Sequence, residues 1–286
     1  MTGPGSSERE RSQRERPHSP RTGEPPPPPE PLPAAVFDSH CHLDAMGVDI
    51  GQSLAAARSV GVARVVTVGD TLESSRWCAA TAAAYDEVVA AVAVHPNEVG
   101  GIDESTWDGL AELAARPEVR AVGETGLDFY RDRVAPAEQQ AAFRRHIALA
   151  KEVGKALVIH DRDAHDAVLR VLEEEGAPEW TVFHCFSGDV EMARRCVRAG
   201  YLLSFAGTVT FKNAGGLRDA AAVVPLDQLL VETDAPFLTP APYRGRPNAP
   251  YLMPLTVRAL ADVKTVHIEQ LCEEVTRTGE RVFGGW

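Results

Sequence analysis

Two histidines one residue apart close a short apolar run, Val36-Phe37-Asp38-Ser39-His40-Cys41-His42. On an extended strand alternate side chains face the same way, so His40 and His42 share a face while Cys41 turns from it. Two imidazoles on one face are able to grip one metal ion. Such a pair is commonly incidental, and recurrence is what gives this one weight. Four further apolar runs each stop at a ligand-type residue: Val119 to Glu124, Ala156 to His160, Trp180 to His184 and Gln228 to Asp234.

Three or four imidazoles with two carboxylates exceed the closed four-ligand shell of a structural zinc site and suit two metals bridged by a carboxylate. Two ions about 3.5–4 Å apart lower the pKa of a bound water, orient it, and neutralise charge on the attacking and leaving oxygens of a phosphodiester. Hydrolysis is the reaction expected. His40, His42 and Asp234 are expected to hold one ion and His160 and His184 the second, with Glu124 bridging them. Asp234 is also expected to take the proton of the attacking water. The imidazoles favour zinc, manganese or iron, while carboxylates with waters also admit magnesium.

The elements that must position these residues alternate along the chain. Eight strand candidates stand at Val36–His40, Arg64–Val68, Val88–His95, Val119–Glu124, Ala156–His160, Thr181–His184, Tyr201–Phe205 and Gln228–Thr233. Helix candidates between them include Gln52–Val60, Leu72–Tyr85, Thr106–Ala115, Ala137–Val153, Asp166–Glu175, Val190–Ala199 and Gly216–Val223. Ala137–Val153 carries the strongest signals, with Pro136 before it, Phe143, Ile147 and Ala150 on one face, and Gly154 after it. A continuous apolar strand such as Val88 to Val94 is what burial on both faces of a parallel sheet requires. A (β/α)8 TIM barrel therefore leads, ahead of a doubly wound open sheet. In a barrel every strand delivers its C-terminal residue to one mouth, which gathers ligands far apart in sequence.

The 286 residues are 44% apolar, enough for a large core, whereas residues 1–35 are rich in Pro, Ser, Arg and Glu and are expected to form a disordered or polyproline-like tail. The domain proper is read as 36–286. The tail's proline run, Pro25 to Pro29, could engage an aromatic groove on a protein partner. Five scattered cysteines without a Cys-x-x-Cys pair argue against a disulfide framework or zinc ribbon and for a reduced, cytoplasmic setting. No apolar leader or membrane-spanning run is expected. The net charge of −12 argues against a broad non-specific nucleic-acid surface, though bound cations would supply positive charge locally.

The motifs Asp38-Ser39-His40-Cys41-His42, Gly123-Glu124-Thr125-Gly126-Leu127-Asp128, Ile159-His160-Asp161-Arg162-Asp163-Ala164, His184-Cys185-Phe186-Ser187-Gly188 and Glu232-Thr233-Asp234-Ala235-Pro236 resemble, in order and context, the signatures of the TatD family of metal-dependent hydrolases. Val94-His95-Pro96 and Pro242 to Asn248 follow its pattern too. The resemblance runs from Val36 to the C-terminus. It implies a TIM barrel of the amidohydrolase type, a divalent-metal centre at the positions above, and a deoxyribonuclease-like activity, in some relatives a 3′-to-5′ exonuclease on single strands. Two departures stand out: the tail before Val36, and Thr278 where an asparagine is common before Arg281-Val282-Phe283-Gly284.

DNA or another phosphodiester is thus the expected partner at the mouth. Candidate substrate contacts are His95, which ends the third strand, Asp128, Arg162, Ser187 before a helix with free amides, and Arg244, with Arg246 beside it. His18, His146, His165 and His267 lie in the tail or in helices and read as ordinary residues. An alternative keeps the metals and changes the bond to an amide, lactone or aminoacyl ester. Glu124 stands where a carbamylated lysine would favour that branch, and so tilts the reading toward the nuclease. A third reading is a non-catalytic metal-binding scaffold; degenerate members of such a family usually lose ligands, and here the set is complete.

Overall fold

In the computed structural model, residues 23–131 and 133–284 are described. Eight strands pair in parallel in the order of the sequence: β1 Val36–Cys41, β2 Val62–Val68, β3 Val88–Val92, β4 Val119–Asp128, β5 Ala156–Arg162, β6 Thr181–Phe183, β7 Leu202–Phe205 and β8 Leu229–Val231. Helices follow them: α1 Ile50–Ser59, α2 Leu72–Ala84, α3 Glu104–Ala114, α4 Pro136–Val153, α5 His165–Glu175, α6 Val190–Arg198, α7 Gly215–Val223, α8 Met253–Lys264 and α9 Ile268–Phe283. The fold is a nearly closed (β/α)8 barrel, as the alternation of strands and helices predicts.

Alternation along each strand produces two apolar layers. Phe37, Val66, Val89, Val158, Val182 and Leu230 fill the interior, while Val65, Val92, Val122, Leu157 and Val231 face a shell of helices through residues such as Leu54, Leu110, Phe143, Val168 and Leu260. The last turn of α9 closes the lower end. Phe283 stacks on Phe37 with ring centroids 5.6 Å apart, and Gly279 leaves room for that ring, since a Cβ there would stand 3.0 Å from it. Thr278 lies buried in this helix, away from the mouth.

The strands that carry chemistry differ from the sequence expectation at their ends. β4 and β5 run on to Asp128 and Arg162 because they continue to pair with each other, Gly126 opposite His160 and Asp128 opposite Arg162. β3 stops at Val92, so His95 sits on the loop beyond, its amide donating to the Asp70 carbonyl at 2.9 Å. Hydrophobic pattern reports burial, and pairing partners lie outside its reach.

Where β1 meets β8, side chains do the joining. Asp38 accepts the Thr233 amide at 2.9 Å and the Thr233 hydroxyl at 2.6 Å, and Ser39 donates to the Val231 carbonyl at 3.0 Å. Above them the Asp234 amide donates to the His40 carbonyl at 2.9 Å and the His42 amide to Ala235 at 2.7 Å. Burial pushes the Asp38 carboxyl up to about 8 against these hydrogen bonds, which favour its charged form.

Of the tail read as residues 1–35, positions 1–22 lie outside the described residues. The rest of it, from Glu24, lies against the barrel. Arg246 donates to the Glu24 and Pro25 carbonyls at 2.9 and 3.0 Å, Tyr251 donates to Pro26 at 2.6 Å, and Leu32 is buried with its amide on the Val60 carbonyl. Packed chain thus begins about ten residues before Val36, because Leu32 and the proline rings have apolar surface to bury. No helix among the described residues is long and apolar enough to cross a membrane.

Candidate metal centre

The mouth holds a cavity of about 390 Å³ lined by His42, Asp70, His95, Glu124, Asp128, His160, His184 and Asp234, among others. Glu124 lies at the centre of the ligand-type atoms. Its Oε2 is 2.6 Å from His184 Nε2, 3.4 Å from His160 Nδ1 and 3.8 Å from His40 Nε2, and its Oε1 is 3.7 Å from His42 Nε2. Asp234 Oδ1 completes the other side, 3.5 Å from His42 Nε2 and 3.9 Å from His40 Nε2. All six residues predicted as ligands therefore converge. Asp234 reaches the cluster from a left-handed backbone conformation, φ 52°, which Asp tolerates better than most side chains.

His40 Nε2 and His42 Nε2 face each other at 3.3 Å, and the His40 and His184 rings stack at 3.8 Å between centroids. Imidazole nitrogens do not crowd together in a buried pocket for their own sake. Donor atoms directed at a shared cation do so, and the residues fall into triads whose ligand atoms lie within 4.8 Å of one another, among them His40, His42 and Asp234, and Glu124, His160 and His184.

Neighbouring groups decide which ring nitrogen faces inward. His42 Nδ1 is 3.2 Å from the Val68 carbonyl, His160 Nε2 is 3.3 Å from Asp128 Oδ2, and His184 Nδ1 is 3.4 Å from Glu232 Oε1. With the outer nitrogen turned to these oxygens, the inner nitrogen of each ring is the one that would meet a cation, which on binding would displace any proton held there. Asp128 is itself clamped: Asn97 donates to its Oδ2 at 2.8 Å, and Gln139 bonds both its amide and its carbonyl. Charges follow the same geometry. Burial pushes the Glu124 carboxyl up, but the His184 and His95 imidazoles outweigh it and hold it well below the usual range. Burial lowers the His42 imidazolium, and Asp70, Asp234 and Glu124 overcome that and hold it at about 10. His40 is driven well below its ordinary value by burial and by the His184 charge.

The sequence model described as "TatD related DNase" matches residues 37–284. The chain belongs to the TatD family. The "Uncharacterized metal-dependent hydrolase TatD" of Mycobacterium tuberculosis is 48% identical over 261 residues, covering 88% of this chain and 99% of that protein. The metal-dependent hydrolase YcfH of Escherichia coli is 38% identical over 254 residues, covering 87% and 95%. The crystal structure of the TatD homologue YJJV from Escherichia coli superposes with a TM-score of 0.84 at 29% identity, covering 88% of this chain and 98% of that one. The protein is accordingly a metal-dependent hydrolase of the TatD family.

Around this TatD centre the predicted substrate contacts separate. His95, Asp128, Arg162 and Ser187 line the cavity. His95 Nδ1 accepts the Asn97 amide at 3.0 Å, so its proton sits on Nε2, which faces Glu124 Oε1 at 3.8 Å. Burial, then the His160 charge, lowers its pKa to about 3 and keeps it neutral. Ser187 lies two residues short of the helix terminus; Asp189 caps α6 by accepting the Met192 amide. Arg244 is exposed, packs over the Phe211 ring at 4.5 Å and is not among the cavity-lining residues, and Arg246 is engaged with the tail. Cys41 is buried in the outer apolar layer, turned from the ligands as expected. Of the histidines read as ordinary, His146 is buried between the Val94 amide and the Thr125 hydroxyl.

Three contributors escaped the sequence reading. Asp70 follows the apolar run of β2 and joins His42 and Glu124 in a further triad, so the strand-end rule applied to that run would have found it. Glu232 and Asp38 stand in motifs that resemble the family's, but their roles could not be read there, since their partners, His184 and Thr233 respectively, come from distant parts of the chain.

Proposed function

We propose that the protein is a two-metal phosphodiesterase that cleaves DNA, with free single-stranded ends as its preferred form. The observation that carries this reading is the position of Glu124 between two pairs of imidazoles, His40 with His42 and His160 with His184. His40, His42 and Asp234 would hold one divalent cation, His160 and His184 the other, and Glu124 both; magnesium, manganese and zinc all suit this mixed shell. When bound, the cations lower the pKa of water and neutralise the charge of a phosphodiester.

The chain's own groups supply the rest. Asp234 Oδ1 takes the proton as the water oxygen bonds to phosphorus and the bond from phosphorus to the leaving oxygen breaks; the proton then passes to that oxygen. His95 offers its Nε2 proton to a phosphate oxygen, its Nδ1 lone pair being already engaged by the Asn97 amide. Arg131, Arg133 and Arg162 line the same cavity and supply positive charge within a chain that is acidic overall. The unpaired cysteines support a cytoplasmic setting for this chemistry.

Purified protein assayed side by side on single-stranded DNA and on amide, lactone and aminoacyl-ester substrates tests the reading. Hydrolysis of DNA alone, abolished by a chelator and restored by manganese, magnesium or zinc, is expected. Activity confined to the amide or ester substrates, or indifferent to chelation, would overturn it.

A further inference from the structure

Among the described residues four large apolar side chains are exposed, Val48, Trp77, Phe129 and Tyr130, and two of them are consecutive. Phe129 and Tyr130 directly follow β4, the strand that carries Glu124, and are 36% and 46% exposed. By contrast, Phe37, Phe143, Phe183, Phe205 and Phe283 are almost completely buried. The turn holding them is pinned by hydrogen bonds. Asp128 Oδ1 accepts the Tyr130 amide at 3.0 Å and the Arg131 amide at 2.9 Å, and the Phe129 amide donates to the Arg162 carbonyl at 2.9 Å.

This turn is tied to the metal centre by a single carboxylate, since the other oxygen of Asp128 faces His160 Nε2 at 3.3 Å. Over Tyr130 lies the Arg162 guanidinium, 4.1 Å from the ring centroid, and Arg162 and Arg131 both line the cavity. An exposed aromatic ring backed by the Arg162 guanidinium, beside a second arginine and the candidate metal centre, matches what single-stranded nucleic acid presents: a flat base next to a phosphate.

We propose that Tyr130, backed by Arg162, is a stacking platform for the base of a nucleotide whose phosphodiester lies in the metal-site cavity. This rests on the phosphodiesterase reading and adds a reason for polynucleotides to be preferred over small diesters. Stacking reads the face common to all four bases, so the platform selects for unstacked, single-stranded ends without selecting sequence.

The test is a two-by-two comparison of wild type and Tyr130→Ala, each with a single-stranded oligonucleotide and with an oligomer of equal length and charge built of abasic sugars. KM is read in cleavage, and binding by fluorescence anisotropy in the metal-loaded Asp234→Asn background, where turnover is strongly slowed. Base loss is expected to weaken the protein with Tyr130 by about 5- to 150-fold and the Tyr130→Ala protein little further, while Tyr130→Trp keeps the base preference. An equal penalty for base loss with and without the ring would overturn the platform. Base- and Tyr130-dependent binding without any cleavage of the oligonucleotide would sink the phosphodiesterase reading and leave the stacking platform as a binding site. Neither cleavage nor binding would remove both.

Discussion

A carboxylate that faces a cation site and also accepts a proton serves two purposes, and at Asp234 they can be separated. Asp234→Asn keeps the side-chain shape but removes the group that accepts the proton. Its kcat is expected to fall by about 100- to 10,000-fold with the unfolding temperature little changed, and a variant of full activity would strip Asp234 of the base role. Glu232 acts one step further out. In Glu232→Gln the amide oxygen still accepts the Cys185 amide, a 2.8 Å bond in the native protein, but the charge beside His184 Nδ1 is lost. Metal affinity should weaken by about 10- to 100-fold in competition with a chromogenic chelator, and an unchanged affinity would show that His184 needs no such partner.

Between β4 and β5 the deciding residue has no side chain. Gly126 has φ +129°, a region open mainly to glycine, and a Cβ there would meet the His160 carbonyl oxygen at 2.2 Å. The strand pair that brings Glu124 to His160 therefore depends on this glycine. Gly126→Ala is expected to cost about 2–4 kcal/mol in urea unfolding and to lower the metal stoichiometry of the folded protein. A stable variant with full metal content would mean that the register survives the clash. At this scale the helix from Pro136 to Val153 was legible to within one residue, read as Ala137–Val153, because proline, apolar stripe and terminal glycine are all local signals. The extension of β4 to Asp128 was not, because it exists only through pairing with β5.

For the molecule as a whole, the proposed ligands come from β1, β4 and β5 and from the loops after β1, β6 and β8, so no unfolded chain presents them together. Cations that bind only the folded barrel stabilise it, by about 2.7 kcal/mol at a hundredfold excess over Kd. The unfolding temperature should accordingly rise by several degrees on adding metal and fall on chelation, as calorimetry can record; an unfolding temperature indifferent to metal would show that these atoms share no ion. The closure of the barrel is a second whole-molecule property. Asp38 and Thr233 are 195 positions apart and meet only because eight parallel strands return to their start.

The alternation of strand and helix, the parallel sheet and the six ligand-type strand ends were determined by sequence alone, because burial period and residue chemistry are local properties of a chain. Tertiary structure decided which nitrogen of each imidazole faces inward, that Arg244 leaves the cavity while Arg131 and Arg133 enter it, that residues from Glu24 onward pack on the barrel, and that Phe129 and Tyr130 stay exposed beside the centre. These depend on particular contacts, several of them with partners far away in the chain, and a contact of that kind leaves no periodicity to read.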